Sequence, residues 1–352
     1  MRILFVRLSS FGDVLFALPA AKALRTMAAA RLTWAIEPPL APLVAGAAYV
    51  DDVLPVDTRG WRRAWRAAGT RKDILEFLRR VRGEKTPFDL VVDAQGLFKS
   101  AIVTFAARGA ARKVGYGFRT ATERINCFAT NERVDVDGAA RPHVLDQMLA
   151  LAEHVTGESG FERTPDVRHL VERPDPAVDE WLERFGSRPF AVLQPFSSKG
   201  NKEWPEGEVV AFSEWLSSES IQPVLRWGPG EEGRAAEIIH LSKKIISPSS
   251  SSSLSPSNSS LPLLLAPPTT PASTARLAAR AALFVGADTG PTHLAAAAGT
   301  PTLALFGPTP PGRFGPVGPR TDVLRESTAT YNRSVGRWPV EDVREAARRL
   351  LA

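Results

Sequence analysis

The alternation of short apolar runs with helical stretches is the feature that most constrains the fold of this chain. RILFVRL precedes DVLFALPAAKALRTM, RLTWAIE precedes PLAPLVAGA, and FDLVVDAQG precedes LFKSAIVTFAARG. Such alternation is typical of a parallel sheet with helices on both faces. The pattern loosens between 120 and 185 and then restarts with PFAVLQPFSS, IQPVLRWGPG, ALFVGADTG and PTLALFGPT. We therefore predict an α/β protein with two doubly wound domains, residues 1–180 and 181–352, which face a central ligand-binding cleft.

The composition limits the class of protein. The 352 residues suffice for two ordinary domains, and a hydrophobic content of 44% with 23% charged residues is typical of a soluble globular protein. The single cysteine, Cys127, excludes an internal disulfide or a cysteine-cluster metal site and favours a reducing compartment. The start MRILFVRLSSFGDV resembles a strand and turn rather than a signal peptide, and no stretch approaches the roughly 20 apolar residues of a membrane span. We expect a cytoplasmic protein.

Two segments depart from the regular pattern. The Ser/Pro-rich stretch SPSSSSSLSPSNSS at 247–260 has too few apolar residues to order itself, so we predict a disordered surface insertion. Pro271 follows PPTT and is expected to shorten the next helix.

Positive charge is clustered near residue 60. The net charge is +6, and the stretch DTRGWRRAWRAAGTRKD carries Arg59, Arg62 and Arg63 among its basic residues and two tryptophans. This pattern suits a nucleic acid, an anionic membrane face or a phosphorylated substrate, and it is equally typical of a solvated basic helix.

The string GADTGPTHLAAAAG joins an apolar strand to an alanine-rich helix. Asp288 or Thr289 can cap the helix, Gly290 allows close approach of a ligand, and Pro291 suits the first turn. The helix dipole and free amides favour a phosphate there, and His293 would lie beside it. The alternative is a well-capped strand–turn–helix without a ligand.

Two further turns carry candidate chemistry. LSSFGD places Ser10, Gly12 and Asp13 after the first strand without a dinucleotide or NTPase glycine motif, and Asp13 suits either a helix cap or a general base. QPFSSKGNKEWP offers Ser197 and Ser198 as donors and Lys202 as a positive charge for a diphosphate. The five histidines are scattered and no H-x-x-x-H occurs, so we predict no metal and expect a cationic clamp in its place.

Together these strings resemble glycosyltransferase family 9, the bacterial heptosyltransferases. The resemblance runs in order through MRILFVRLSSFGDVLFALPA, VDAQGLFKSA, SSKGNKEWP, LRWGPGEEGRA and GADTGPTHLAAAAGTPTLALFGPT. It implies a GT-B fold and metal-independent, inverting transfer from ADP-L-glycero-D-manno-heptose, without a further cofactor. The strings WRRAW and DAQGLFKSA are most similar to members that add the first heptose to the Kdo of lipid A core during lipopolysaccharide synthesis.

The resemblance also implies roles for individual residues. Asp13 would be the base that activates a Kdo hydroxyl, and Lys202 would stabilise the departing ADP. Ser197 and Ser198 match donor-side positions where the family more often has Thr, and Glu231 matches a nucleoside contact, although Glu232 fits equally. The donor-binding turn would comprise Asp288 at the heptose hydroxyls, Thr289 and Gly290 at the diphosphate, and His293. The acceptor surface, which would recognise Kdo carboxylates and phosphates, would comprise Ser10, Gly12, Arg59, Arg62, Arg63 and Lys99.

Other functions remain open at this point. Another family 9 enzyme could transfer a second heptose or a hexose, and a non-catalytic module could bind a nucleotide sugar or a nucleic acid. A cleft-facing carboxylate opposite a diphosphate site argues against a pure binding module, and the missing glycine fingerprint argues against a dehydrogenase. We expect an anionic Kdo-lipid A acceptor and no nucleic-acid partner. The basic helix is expected to contact the inner face of the cytoplasmic membrane peripherally.

Overall fold

The computed structural model describes residues 1–82, 86–246, 261–326 and 337–352. The chain divides into two compact units, Met1–His169 and Leu170–Ala352. The Ser/Pro-rich segment 247–260, predicted as an insertion, lies outside the described residues.

The first unit is a six-stranded parallel sheet with the order β3-β2-β1-β4-β5-β6. Its strands are β1 Arg2–Val6, β2 Arg31–Ile36, β3 Asp52–Pro55, β4 Leu90–Asp93, β5 Arg112–Tyr116 and β6 Glu132–Val134. Its helices are α1 Phe11–Leu24, α2 Thr58–Arg63, α3 Ala68–Arg82, α4 Phe98–Ala106 and α5 Val144–Thr156, with 3-10 turns at Pro38–Leu43 and Arg124–Ala129. Helix α6, Arg168–Val171, spans the boundary between the units.

The second unit has a six-stranded parallel sheet with the order β12-β11-β10-β7-β8-β9. Its strands are β7 Phe190–Gln194, β8 Gln222–Leu225, β9 Leu264–Leu265, β10 Leu283–Ala287, β11 Thr302–Phe306 and β12 Thr321–Arg325. Its helices are α7 Pro176–Glu183, α8 Glu206–Ser218, α9 Glu232–Ile246, α10 Pro271–Arg280, α11 Gly290–Ala297, α12 Pro311–Phe314 and α13 Val340–Leu351, with a 3-10 turn at Gly200–Lys202.

The central strands are apolar because both faces of each sheet are covered. Residues Ile3–Val6 of β1 are fully buried, as are all residues of β10. Continuous apolar runs of this kind are typical of parallel strands between two helical layers. The predicted α/β class with two doubly wound parallel sheets is confirmed.

The two sheets share one topology. Counted from the first strand of each unit, both have the order 3-2-1-4-5-6, so the order of successive strands reverses between β1 and β4 in the first sheet and between β7 and β10 in the second. Ligands of open α/β sheets bind outside the carboxyl ends of the strands at such a switch point. The switch points therefore indicate where functional side chains of each unit should lie.

Two predictions differ from the structure in detail. The predicted boundary at 180/181 would cut α7, whereas α7 belongs to the second unit, where Val178 and Leu182 pack in one core cluster with Leu277 of α10. Pro271 does not shorten its helix but begins it, because Thr270 accepts a hydrogen bond from the Ser273 amide as the N-cap of α10. No helix of the described residues has the length and apolarity needed to cross a membrane.

Candidate active site

Asp13 lies at the first switch point, in the first turn of α1. The Ser10 amide and hydroxyl donate to Asp13 Oδ2 at 3.1 and 2.9 Å, and Arg7 Nη2 lies 2.9 Å from the same oxygen. Ser10 is the N-cap of the helix and Gly12 stands between the two, so the carboxylate reaches back over the start of its own helix. Asp13 is thus a capping residue of α1 at the carboxyl edge of the sheet, and its role as a general base stays a prediction.

The pKa of Asp13 is lowered from its ordinary value. Burial alone would raise this pKa, but the Arg7 guanidinium and the Ser10 hydrogen bonds outweigh it. About a quarter of the Asp13 side chain, 24%, remains accessible. Asp13 is therefore ionised at neutral pH and partly accessible to solvent.

The β4–α4 loop fixes the loop that carries Ser10. Gln95 Oε1 accepts from the Leu8 amide at 2.6 Å, and Gln95 Nε2 donates to the Ser9 carbonyl at 3.1 Å. Gln95 is itself held because Asp93 Oδ1 accepts from its backbone amide at 2.9 Å. The DAQG string therefore contributes a rigid support between β1 and β4.

Lys99 and Arg59, both predicted acceptor residues, meet at one carboxylate. Lys99 Nζ donates to Glu37 Oε1 at 2.9 Å, and Arg59 Nε lies 3.5 Å from Glu37 Oε2. Lys99 also donates to the Ser9 hydroxyl, so it connects the Glu37 cluster to the Asp13 loop. The other two predicted acceptor cations, Arg62 and Arg63, are exposed on α2.

Asp288 lies at the second switch point, between the side chains of Lys202 and His293. Its Oδ2 is 2.5 Å from Lys202 Nζ, and its Oδ1 is 3.2 Å from His293 Nε2. The side chains of Asp288 and His293 are each 6% exposed, and that of Lys202 is 15% exposed. Three predicted donor-side residues, two from the GADTGPTH string and Lys202 from another loop, therefore form one buried cluster.

The pKa of Asp288 is lowered to about 2. Burial acts in the opposite direction, but the hydrogen bond and charge of His293 and the charge of Lys202 outweigh it. Asp288 is thus an ionised carboxylate that holds the Lys202 ammonium at the edge of the sheet.

The start of α11 has the form of an anion site. Thr289 is the N-cap residue and Gly290 and Pro291 open the helix. The Thr289 hydroxyl donates to the Ala287 carbonyl at 3.3 Å and accepts no capping hydrogen bond from a helix amide. The Thr292 hydroxyl also donates to Ala287 at 2.7 Å. Helix-start amides have no partner within their helix, and the dipole there is positive, so this turn suits a phosphate group.

The remaining predicted donor-side residues lie on the β7–α8 and β8–α9 loops of the second unit. Ser197 accepts from the Lys199 amide at 3.2 Å and Ser198 is exposed, both on the loop between β7 and the 3-10 turn of Lys202. Glu231 accepts from the Gly228 amide at 2.6 Å just before α9, whereas Glu232 is exposed. The Glu231 carboxylate therefore shapes the β8–α9 loop.

Several site residues escaped the sequence prediction. Arg7 and Glu37 each follow a strand and pair with a predicted residue, Arg7 with Asp13 of the same turn and Glu37 with Lys99 from another loop, and the strand pattern reveals neither pair. Arg226 follows β8, donates to Gln194 Oε1 at 2.5 Å, and has its pKa lowered by burial to about 10. Its position directly after the apolar strand residues VL in VLRWGPG could have marked Arg226 as a residue at the carboxyl end of a strand. Among the described residues, no group of His, Cys, Asp and Glu has an arrangement that could hold a metal ion.

Comparisons with known proteins agree on one family. The family model for glycosyltransferase family 9 (heptosyltransferase) matches residues 74–337. Lipopolysaccharide heptosyltransferase 1 of Salmonella typhimurium is 30% identical over 324 residues, 90% of this chain and 92% of the relative. The enzyme of the same name from Escherichia coli strain K12 is 29% identical over 92% of this chain and 93% of its own.

Solved structures give the same result. The E. coli heptosyltransferase WaaC with ADP matches with a TM-score of 0.79 and 27% identity, over 99% of this chain and all of the other. The structure of the same enzyme with ADP-2-deoxy-2-fluoro heptose matches with a TM-score of 0.77, 26% identity and 99% coverage of both chains. These matches support the predicted GT-B class. This chain belongs to glycosyltransferase family 9, the heptosyltransferases.

Proposed function

We propose that this enzyme transfers L-glycero-D-manno-heptose from ADP-heptose to a Kdo hydroxyl of lipid A core, with inversion at the anomeric carbon. The hydroxyl oxygen forms the new bond to the anomeric carbon while the bond to the β-phosphate oxygen breaks. The proton passes to Asp13 and the electron pair leaves with ADP. The observation that carries this proposal is an ionised carboxylate with a cation at each switch point, Asp13 with Arg7 and Asp288 with Lys202.

The donor would bind at the second switch point. Lys202 has three ammonium donors, of which Asp288 occupies one, so the ammonium can also meet the diphosphate. The α11 amides at Thr289 and Gly290 add positive potential, and Asp288 would hold heptose hydroxyls with His293 fixing its orientation. Ser197, Ser198 and Glu231 would contact the rest of the donor. The two matched WaaC structures are complexes with ADP and with ADP-2-deoxy-2-fluoro heptose, which supports this choice of donor.

Asp13 would act as a base of low strength. Its lowered pKa keeps it ionised but also makes proton transfer from an unreacted sugar hydroxyl unfavourable. The hydroxyl becomes acidic only as its oxygen bonds to the anomeric carbon. We therefore infer that proton transfer to Asp13 accompanies bond formation and does not precede it.

The acceptor would bind at the Glu37 cluster and α2. Glu37 occupies Lys99 and Arg59, so a Kdo carboxylate would compete with it for these two cations. Ser10 and Gly12 would border the attacking hydroxyl, while the exposed Arg62 and Arg63 would meet phosphates. Because such an acceptor is held in a lipid leaflet, we propose that the enzyme works in the cytoplasm against the inner face of the membrane.

The test is transfer of heptose from ADP-heptose to purified Kdo₂-lipid A in EDTA, with wild type compared with Asp13→Asn. We expect turnover in the wild type without added metal and its loss in the variant, with ADP-heptose affinity retained. Tight ADP-heptose binding without turnover would mean a different acceptor within the family. Failure to bind any ADP-sugar would remove the proposal.

A further inference from the structure

Helix α4 exposes its large apolar side chains and buries its small and polar ones. Phe98, Ile102 and Phe105 are 53, 52 and 62% exposed, and their spacing of four and three residues puts them on one face. Ser100 and Thr104 are fully buried on the other face. A surface helix ordinarily does the reverse, so the exposed face has no explanation in the packing of the unit.

The buried face of α4 is polar because of its neighbours. Thr104 Oγ1 donates to Asp93 Oδ2 at 3.1 Å, and Asn126 Nδ2 donates to the same oxygen at 2.7 Å and to Ser100 Oγ at 3.1 Å. Asn126 belongs to the 3-10 turn Arg124–Ala129, so these bonds join that turn to α4. The orientation of the helix is thereby fixed with its apolar face outward.

The same 3-10 turn, which packs against α4 through Asn126, also exposes large apolar side chains. Ile125 and Phe128 are 53 and 74% exposed, and residues three apart lie on the same side of a 3-10 helix. The Phe128 ring lies 5.8 Å from that of Phe118, which is 42% exposed. We call the six residues Phe98, Ile102, Phe105, Phe118, Ile125 and Phe128 the α4 surface.

Arginines border the α4 surface. The Arg108 guanidinium lies 5.7 Å from the Phe105 ring and that of Arg133 lies 5.5 Å from the Phe118 ring, and Arg119 and Arg124 are exposed nearby in sequence. One acidic residue of this region, Glu123, is engaged at the start of α4, where its carboxylate accepts a hydrogen bond from the Phe98 amide at 2.6 Å.

We propose that the α4 surface docks on an anionic lipid bilayer. Aromatic and aliphatic side chains flanked by arginine enter the boundary between headgroups and acyl chains, while the guanidinium groups meet anionic headgroups. A second copy of this chain fits less well, because a two-fold contact would bring the arginine border against itself. Charge complementarity therefore favours the bilayer.

The docking has a consequence for the active site, which rests on the proposed function. Lys99 lies on α4 next to Phe98, and its ammonium donates to the Ser9 hydroxyl beside the Asp13 loop. A bilayer against the outer face of α4 would therefore hold the Asp13 loop near the headgroup region, where a lipid-borne acceptor presents its sugars.

The test is co-sedimentation of the full-length protein with phosphatidylcholine vesicles, with and without phosphatidylglycerol, in the absence of donor and acceptor. The test variant is Phe105→Ser/Phe128→Ser. The matched control is Leu75→Ser, which removes a 57% exposed apolar side chain from α3. We expect binding that requires phosphatidylglycerol, that falls at least about tenfold in the test variant and that is unchanged in the control. Thermal melting should show that both variants remain folded.

Several outcomes would overturn the docking proposal. Wild type that does not bind phosphatidylglycerol vesicles would do so, as would equal binding by Phe105→Ser/Phe128→Ser. A wild-type dimer that the test variant dissociates would identify the face as an interface between copies. Loss of binding only in Arg62→Glu/Arg63→Glu would assign docking to α2. Because no sugar is present, these outcomes are independent of the proposed function, which transfer to a detergent-solubilised acceptor tests separately.

Discussion

The two switch points carry similar groups in opposite arrangements. In the first unit the acid, Asp13, follows β1 and the lysine, Lys99, follows β4, and each has its own partner, Arg7 or Glu37. In the second unit the lysine, Lys202, follows β7 and the acid, Asp288, follows β10, and they pair directly at 2.5 Å. The same topology thus leaves the Asp13 carboxylate partly exposed and buries the Asp288 carboxylate against a lysine.

The two carboxylates differ in how much of the side chain is exposed to solvent. The Asp13 side chain is 24% exposed and that of Asp288 only 6%. Both have a lowered pKa, so both are ionised at neutral pH, but only Asp13 has a carboxylate that is substantially accessible to solvent. Asp288 instead fixes the cation that a diphosphate would meet. We propose that Asp13 is the base and that Asp288 anchors the Lys202 ammonium, and the following predictions test these two roles.

The largest effect should come from Asp13→Asn. The amide keeps the size of the side chain but cannot accept the proton, so we expect turnover to fall by roughly 10²–10⁴. ADP-heptose affinity, measured by calorimetry, should stay within about twofold because the donor residues lie in the other unit. The control is Asp135→Asn, an exposed carboxylate of the same unit. Equal turnover in Asp13→Asn and wild type would show that Asp13 is only a helix-capping residue.

Lys202→Met should lower both stability and donor affinity. It removes the ammonium from the buried Asp288 carboxylate, and loss of one partner of a buried pair costs up to about 3 kcal/mol where a second partner, here His293, remains. Urea unfolding and ADP titration measure the two effects. Lys199→Met, at an exposed lysine of the same loop, is the matched control and should change neither by much. A stable Lys202→Met that binds ADP normally would contradict the anchor role.

The sequence predicted the acids and the lysines but not their pairing. Asp13, Lys202 and Asp288 each follow an apolar strand at a turn, and that local pattern is visible in the chain. Arg7 pairs with Asp13 across their shared β1–α1 turn, which no residue pattern marks, whereas Glu37 binds Lys99 at the start of α4. Only the strand order determines that the loops after β2 and β4 become neighbours. The orientation of α4 could not be predicted from the sequence either, because its polar face binds residues of other elements, β4 and the 3-10 turn at Arg124–Ala129.

The ion pair of Asp288 should make the folding stability depend on pH in the acid range. Its pKa is lowered from 3.8 to about 2, so its interactions contribute about 2 kcal/mol of folding stability that is fully present above pH 3.8. This contribution is lost as pH falls through 3.8 towards 2, because the unfolded state binds the proton first. The difference in unfolding free energy between wild type and Asp288→Asn should therefore shrink from about pH 5 to about pH 2.5. A difference that is constant over this range would exclude the pKa shift.

The smallest effect, and the one most specific to the base, should come from Ser10→Ala. This change removes the hydroxyl that donates to Asp13 Oδ2 at 2.9 Å but leaves Arg7 and the Ser10 amide in place. A hydrogen bond of this kind is worth about 1 kcal/mol, so the pKa of Asp13 should rise by less than about one unit. The acid limb of the pH profile of kcat/KM should move to higher pH by the same amount. Ser197→Ala, the matched change in the loop after the first strand of the second unit, should leave that limb in place because the Ser197 hydroxyl accepts from the Lys199 amide of its own loop. An acid limb that does not move in Ser10→Ala would mean that a group other than Asp13 titrates in catalysis.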